Sequence, residues 1–292
     1  MTETGYRGAR MLFALAAMLI PFGIAIAAPP VWVVAGQNNT VYLFGSVHLL
    51  QEGGFRIEGE LEKVYRDAER VCLEVDIAAL TPETTLSVTL ERAIDPEGRG
   101  LYDLLGSAAG RVREAAADAG IDLTQLESFE PWFVGINVSV LALQQHGFDA
   151  EHGVEQIIQQ AAQRDGKPSC GLETLDEQLA VLDRLPADEQ AEVLLQSLDE
   201  AKGIEDEMKT LFNAWRDGDE GPLTKQLRDD FADYPELADQ LIYARNERWA
   251  DQVAALLKQS DDVLVVVGAL HLVGDQGLPA KLERRGFRVE QH

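Results

Sequence analysis

Two of the five histidines in this 292-residue chain share one frame. Gly45-Ser46-Val47-His48-Leu49 and Gly268-Ala269-Leu270-His271-Leu272 both read Gly-x-x-His-Leu. Each follows an apolar run, Val41–Phe44 or Val263–Val267, that reads as a β-strand. In an open α/β sheet, ligands bind beyond the carboxyl ends of the strands. The frame therefore puts two imidazoles where chemistry is done. Neutral imidazole is a common ligand of transition metals. Two such groups, far apart in the chain, point to one shared metal ion held by His48 and His271. Gly45 and Gly268 let the backbone turn sharply and approach a bound cofactor closely.

Carboxylates occupy matching places. Val71-Cys72-Leu73-Glu74-Val75-Asp76 ends another apolar run, and a spacing of two puts Glu74 and Asp76 on one face of a strand. An acid inside a buried strand needs a partner, so Glu74 is a candidate metal ligand or general base. Glu173 follows the run Pro168–Leu172 and is a third catalytic candidate, although with Thr174 it also reads as the opening of a helix. Arg245, in Tyr243-Ala244-Arg245-Asn246-Glu247-Arg248-Trp249, is the candidate cation. It would stabilise a developing oxyanion or pair with Glu74; a structural salt bridge is the alternative. Glu155, just after His152-Gly153-Val154, reads as a first-turn partner of a helix dipole with no chemical role. The chain contains no G-x-S-x-G, H-E-x-x-H, Walker A or G-x-G-x-x-G motif.

These residues need a sheet to present them. Val31–Ala35 and Thr40–Phe44 flank Gly36-Gln37-Asn38-Asn39 and read as a β-hairpin. Val71–Val75, Pro168–Leu172 and Phe287–Glu290 read as further strands, and Val263–Val267 as one buried on both faces. Helical patterns cover 56–69, 130–145, 154–164, 175–185, 187–216, 235–257 and 278–285. The segment 130–145 is apolar nearly all round, which predicts a buried core helix. The pattern is α/β: a mostly parallel central sheet flanked by helices, with a large helical insertion between the fourth and fifth strands. No repeat or low-complexity linker divides it, so residues 28–292 read as one domain.

Composition narrows the partners. Fifty acidic residues against 25 basic ones give a net charge of −25. Phosphate backbones are held by clustered Lys and Arg, so nucleic acid is excluded as a partner. Eleven acids and three bases fall within 188–220, which reads as the solvated outer face of helices rather than a site for a cationic partner. Residues 1–27 carry Arg7 and Arg10, then an apolar run, then Ala25-Ile26-Ala27. That order describes a secretory signal peptide, with a periplasmic or secreted destination and membrane contact only through an uncleaved leader. Cys72 and Cys170 fit either one disulfide or two buried thiols.

Taken together, Leu43-Phe44-Gly45-Ser46-Val47-His48, Glu74-Val75-Asp76, Gly153-Val154-Glu155, Gly171-Leu172-Glu173-Thr174, Arg245-Asn246 with Trp249, and Val267-Gly268-Ala269-Leu270-His271 resemble the TraB/GumN family, which is related to the Tiki proteases. The resemblance runs over nearly the whole chain after the leader. It implies a Tiki-like fold and a divalent-metal site at the two histidine motifs, with manganese or cobalt the usual ion and zinc an alternative. It implies a metal-dependent, peptidase-like hydrolase acting on a peptide or other small substrate. The alternatives are a metal- or haem-binding module without turnover, and an interaction protein of envelope or polysaccharide assembly.

Overall fold

The computed structural model describes residues 29–232 and 235–292. The leader reading of 1–27 lies outside the described residues. The strands are β1 (Val31–Ala35), β2 (Thr40–Ser46), β3 (Leu50–Gln51), β4 (Arg70–Val75), β5 (Phe148–Asp149), β6 (Ser169–Glu173), β7 (Val263–Gly268) and β8 (Val289–Gln291). Six of them form one sheet in the order β6-β4-β7-β2-β1-β8. β6, β4, β7 and β2 run parallel, while β1 is antiparallel to both β2 and β8. The sheet is therefore mixed, with a parallel half and a hairpin edge. β3 and β5, too short to register as patterns, pair separately with each other.

The helices are α1 (Gly59–Asp67), α2 (Pro82–Ala93), α3 (Leu101–Leu105), α4 (Ala109–Ala119), α5 (Pro131–Gln145), α6 (Val154–Asp165) and α7 (Leu175–Asp183). After them come α8 (Ala187–Glu200), α9 (Ile204–Arg216), α10 (Glu220–Asp230), α11 (Pro235–Ala238), α12 (Ala244–Leu256) and α13 (Leu278–Arg284). α1 and α6 cover one face of the sheet, where Leu61, Val64 and Ile158 pack with Phe44, Leu73 and Val266. α12 and α13 cover the other, where Trp249, Val253, Leu278 and Leu282 meet Leu43, Val265 and Val267. β7 lies between two strands and two layers, so all five of its apolar residues are buried. Each such side chain contributes about 1.5–3 kcal/mol of burial.

Several expectations need correction. Two helical insertions exist, not one: a second set, α2 to α5, lies between β4 and β6. α3, α4, α5 and α8 share a separate apolar cluster built on Leu101, Val112, Val134, Val138, Leu194 and Leu198. The helix α5 is not buried all round, since Ile136 is 37% and Leu141 46% exposed; it packs on one side only. The segment 187–216 is two helices, α8 and α9, and α9 begins after Gly203. The segment 235–257 contains a π-helical stretch, Asp239–Tyr243, between α11 and α12. None of the acids in 188–220 is buried, consistent with a solvated face. Cys72 and Cys170 stand directly opposite on β4 and β6 and form a disulfide. Among the described residues, no helix is long and apolar enough to cross a membrane.

Candidate functional site

The parallel half of the sheet sets the order of the site. Along its carboxyl edge β6 ends in Glu173, β4 carries Glu74 next to its last residue, β7 ends in Gly268, and β2 ends in Ser46. Gly268 is in register with Ser46, and Val267 with Gly45. The two Gly-x-x-His frames thus leave neighbouring strands at nearly one level. A Cβ built on Gly268 would lie 3.3 Å from Glu74 Oε1, 3.6 Å from His48 Nε2 and 3.6 Å from His271 Cδ2. All three sequence-singled residues converge over that glycine.

His271 is 4% exposed and held at both nitrogens. Its Nδ1 lies 2.7 Å from Asn246 Oδ1. The Asn246 amide donates to the His271 and Gln276 carbonyls, at 3.2 and 2.9 Å, so its oxygen must face the ring. The network therefore assigns the proton to Nδ1 and leaves a lone pair on Nε2. Arg245 Nη1 stands 3.2 Å from that Nε2. Burial pushes the His271 pKa down to about 3, and Arg245 and His48 add to the fall against Glu74. The ring is neutral near pH 7.

Arg245 lies in the first turn of α12, after the π-helical stretch, and its Nη1 also donates to Leu241 O at 2.9 Å. Its Nη2 lies 2.6 Å from Glu74 and 2.6 Å from Glu173. The guanidinium stacks on Trp249, 4.6 Å from the ring centroid. Glu74 Oε1 accepts the Gly268 N–H at 2.7 Å, and Oε2 accepts from Gln178 at 3.1 Å. Burial alone would raise the Glu74 carboxyl. The His48 imidazolium, Arg245 and the Gly268 N–H outweigh it and hold the group below the ordinary carboxylate value. Burial raises Glu173 above the ordinary carboxylate value in spite of Arg245.

His48 is differently placed, with its side chain 59% exposed. Its Nδ1 lies 2.5 Å from Glu155 Oε1, and Ser46 Oγ donates to the same oxygen. The Glu155 charge, assisted by its hydrogen bond to the ring, pushes His48 up to about 9. A cleft of ≈ 210 Å³, lined by His48, Glu74, Ile77, Glu155, Gln156 and Gln178, opens here.

Other residues fall elsewhere. Asp76 leaves the strand and accepts from Ser169 Oγ at 2.8 Å, so it does not share a site with Glu74. The expected common face fails because β4 ends at Val75. Gly45 faces packing rather than the cluster: a Cβ there would lie 3.1 Å from Ala269 Cα. His146 pairs with Glu205, 3.0 Å away, on another part of the molecule. Thr174, not Glu173, caps α7, in a capping box with Glu177. Asn246, Ser46 and Gln178 have no role assigned from the sequence, and Glu155 is read there only as a helix-dipole partner. Glu155 is more than a dipole partner, since its carboxylate meets both His48 and Ser46.

Among the described residues, no group of three or more His, Cys, Asp or Glu side chains is arranged to hold a metal ion as it stands. Arg245 engages the His271 lone pair and one Glu74 oxygen. A family model for TraB/PrgY/gumN matches residues 30–291. The chain belongs to the TraB/PrgY/gumN family. This TraB-family chain is similar to the Escherichia coli K12 protein described as uncharacterized protein YbaP, with 24% identity over 257 residues covering 87% of this chain and 92% of that one. The Shigella flexneri YbaP matches with the same identity and coverage. No solved structure matches this TraB-family chain.

Proposed function

We propose that the strand-edge cluster is a Tiki-like metal-dependent hydrolase site, peptidase-like in chemistry. The observation that carries the reading is the convergence of Glu74, His48 and His271 over Gly268. The donor set fits a divalent ion in kind. Both imidazoles have Nδ1 engaged by an acceptor, Glu155 for His48 and Asn246 for His271, which is how protein histidines are oriented toward metals. His48, His271 and Glu74 would hold the ion, with manganese, cobalt or zinc as candidates. Arg245 would then have to release the His271 nitrogen while keeping Glu173. When bound, such an ion supplies Lewis-acid polarisation and a more acidic water.

The chain's own residues supply the rest. Glu74 is ionised at any physiological pH. Arg245 carries a permanent charge, buried and fixed by two carboxylates and the Trp249 ring, and is suited to a developing oxyanion. Glu173 keeps that guanidinium in place. The reading also takes the protein to be exported, and the Cys72–Cys170 disulfide supports it because such bonds persist in oxidising compartments.

Metal analysis of chelator-treated and reloaded protein tests this. One manganese, cobalt or zinc ion per chain is expected, lost in the paired His48→Ala and His271→Ala variant, together with ion-dependent cleavage of a peptide library. Equal binding by that variant, or none by the wild type, overturns the metal site. The alternative reading is ligand binding without turnover. It predicts stoichiometric metal or haem binding with no cleavage.

A further inference from the structure

We infer that Glu155 is a positioning residue: its carboxylate fixes the His48 imidazole through Nδ1–H and presents Nε2 to the space over Gly268. The inference deepens the proposed site and rests on that reading only for its effect on metal affinity. His48 is more than half exposed and follows the end of β2, so packing alone does not orient its ring. Three separate restraints meet at Glu155. Its Oε1 is 2.5 Å from His48 Nδ1. The hydroxyl of Ser46, a buried residue at the end of β2, donates to the same oxygen and fixes the carboxylate. The start of α6 is docked on the His48 loop, since the Val154 N–H donates to Val47 O at 3.1 Å. A Cβ on Gly153 would overlap the His48 carbonyl, so only glycine allows this approach. A helix-dipole role for Glu155 requires none of this: such a role is met by any first-turn acid, with or without an imidazole. An imidazole whose Nε2 is to donate a lone pair must carry its proton on Nδ1, and an adjacent carboxylate enforces that tautomer.

The experiment compares wild type, Glu155→Ala, Glu155→Gln and a control, Glu151→Ala, in the full chain. Glu155→Gln keeps the size and an acceptor oxygen, which preserves the docking of α6. The first readout is NMR of the metal-free protein at mildly alkaline pH, following the downfield Nδ1–H resonance of His48. The second is Co2+ affinity, read from the ligand-field spectrum. In Glu155→Ala the resonance is expected to vanish and Co2+ affinity to fall about 10–100-fold. Glu155→Gln should fall between, and Glu151→Ala should match wild type. An unchanged resonance in Glu155→Ala overturns the inference, as does unchanged Co2+ affinity. Where the wild type takes up no Co2+, the metal reading fails on its own, and the resonance still decides Glu155.

Discussion

The two Gly-x-x-His segments share a sequence frame and a position on the sheet, yet they build opposite environments. His48 stands in the open, backed by the charge of Glu155, and is pushed up to about 9. His271 is sealed beneath α12, backed by the neutral amide of Asn246, and is pushed down to about 3. The glycines differ likewise. Gly268 borders the side chains that converge, whereas Gly45 lies against Ala269 and Leu272. The difference shows that a motif fixes where an imidazole starts, while the layer that covers it decides its charge. One segment keeps a rigid lone-pair donor; the other keeps a basic, accessible ring.

The largest test of this contrast is on the buried side. Arg245→Ala removes the nearest cation of both Glu74 and Glu173, and breaking a buried pair costs about 3–5 kcal/mol. Urea unfolding of metal-free protein should show it, and a loss below about 1 kcal/mol would mean that the carboxylates are not held as ions. Asn246→Ala comes next. It strips a buried acceptor from His271 and a donor from two carbonyls, at about 1–3 kcal/mol for each group left unsatisfied. On the open side Ser46→Ala removes one bond, about 1 kcal/mol. Equal losses for Asn246→Ala and Ser46→Ala would erase the asymmetry.

The glycines sharpen it further. Gly45→Ala forces a methyl against the Ala269 backbone and should cost about 1–3 kcal/mol by overpacking. Gly268→Ala meets ordinary van der Waals distances from both imidazoles and a tighter one, 3.3 Å, from Glu74 Oε1. It should keep more stability than Gly45→Ala while losing metal uptake. Comparing the melting midpoint with the bound-ion count separates the two.

The smallest effect is spectroscopic. In metal-free protein the His48 ring should titrate above pH 7, and His271 should stay neutral down to about pH 5. His48 has a raised folded pKa, so its contribution to stability is present below the unfolded value of about 6.5 and lost as pH rises through about 9. His271 has a depressed one, so its contribution is present above about 6.5 and lost as pH falls toward about 3. A single shared midpoint for both rings would falsify the contrast.

Much of the framework was legible in the chain. The hairpin, the fully buried β7 and the acid inside β4 follow from period, β-branched content and the cost of burying a charge. Those signals are local, because side-chain direction repeats every two residues in a strand. The helices within 82–119 are not legible in the sequence, because short, weakly amphipathic segments such as α2 and α3 carry little pattern. α5 misled because its outer face is apolar as well.

By itself the sequence determined which residue types stand at the strand ends: His48, Glu74, Glu173 and His271. Alternation and the Gly-x-x-His frame are properties of a single segment. Only the tertiary structure decided which group each of them meets. Parallel register brought Gly268 level with Ser46, α12 laid Arg245 and Asn246 around His271, and α6 brought Glu155 to His48. Protonation state follows from those neighbours and from burial. Both depend on packing between segments that lie far apart in the chain, and no local spacing encodes that packing.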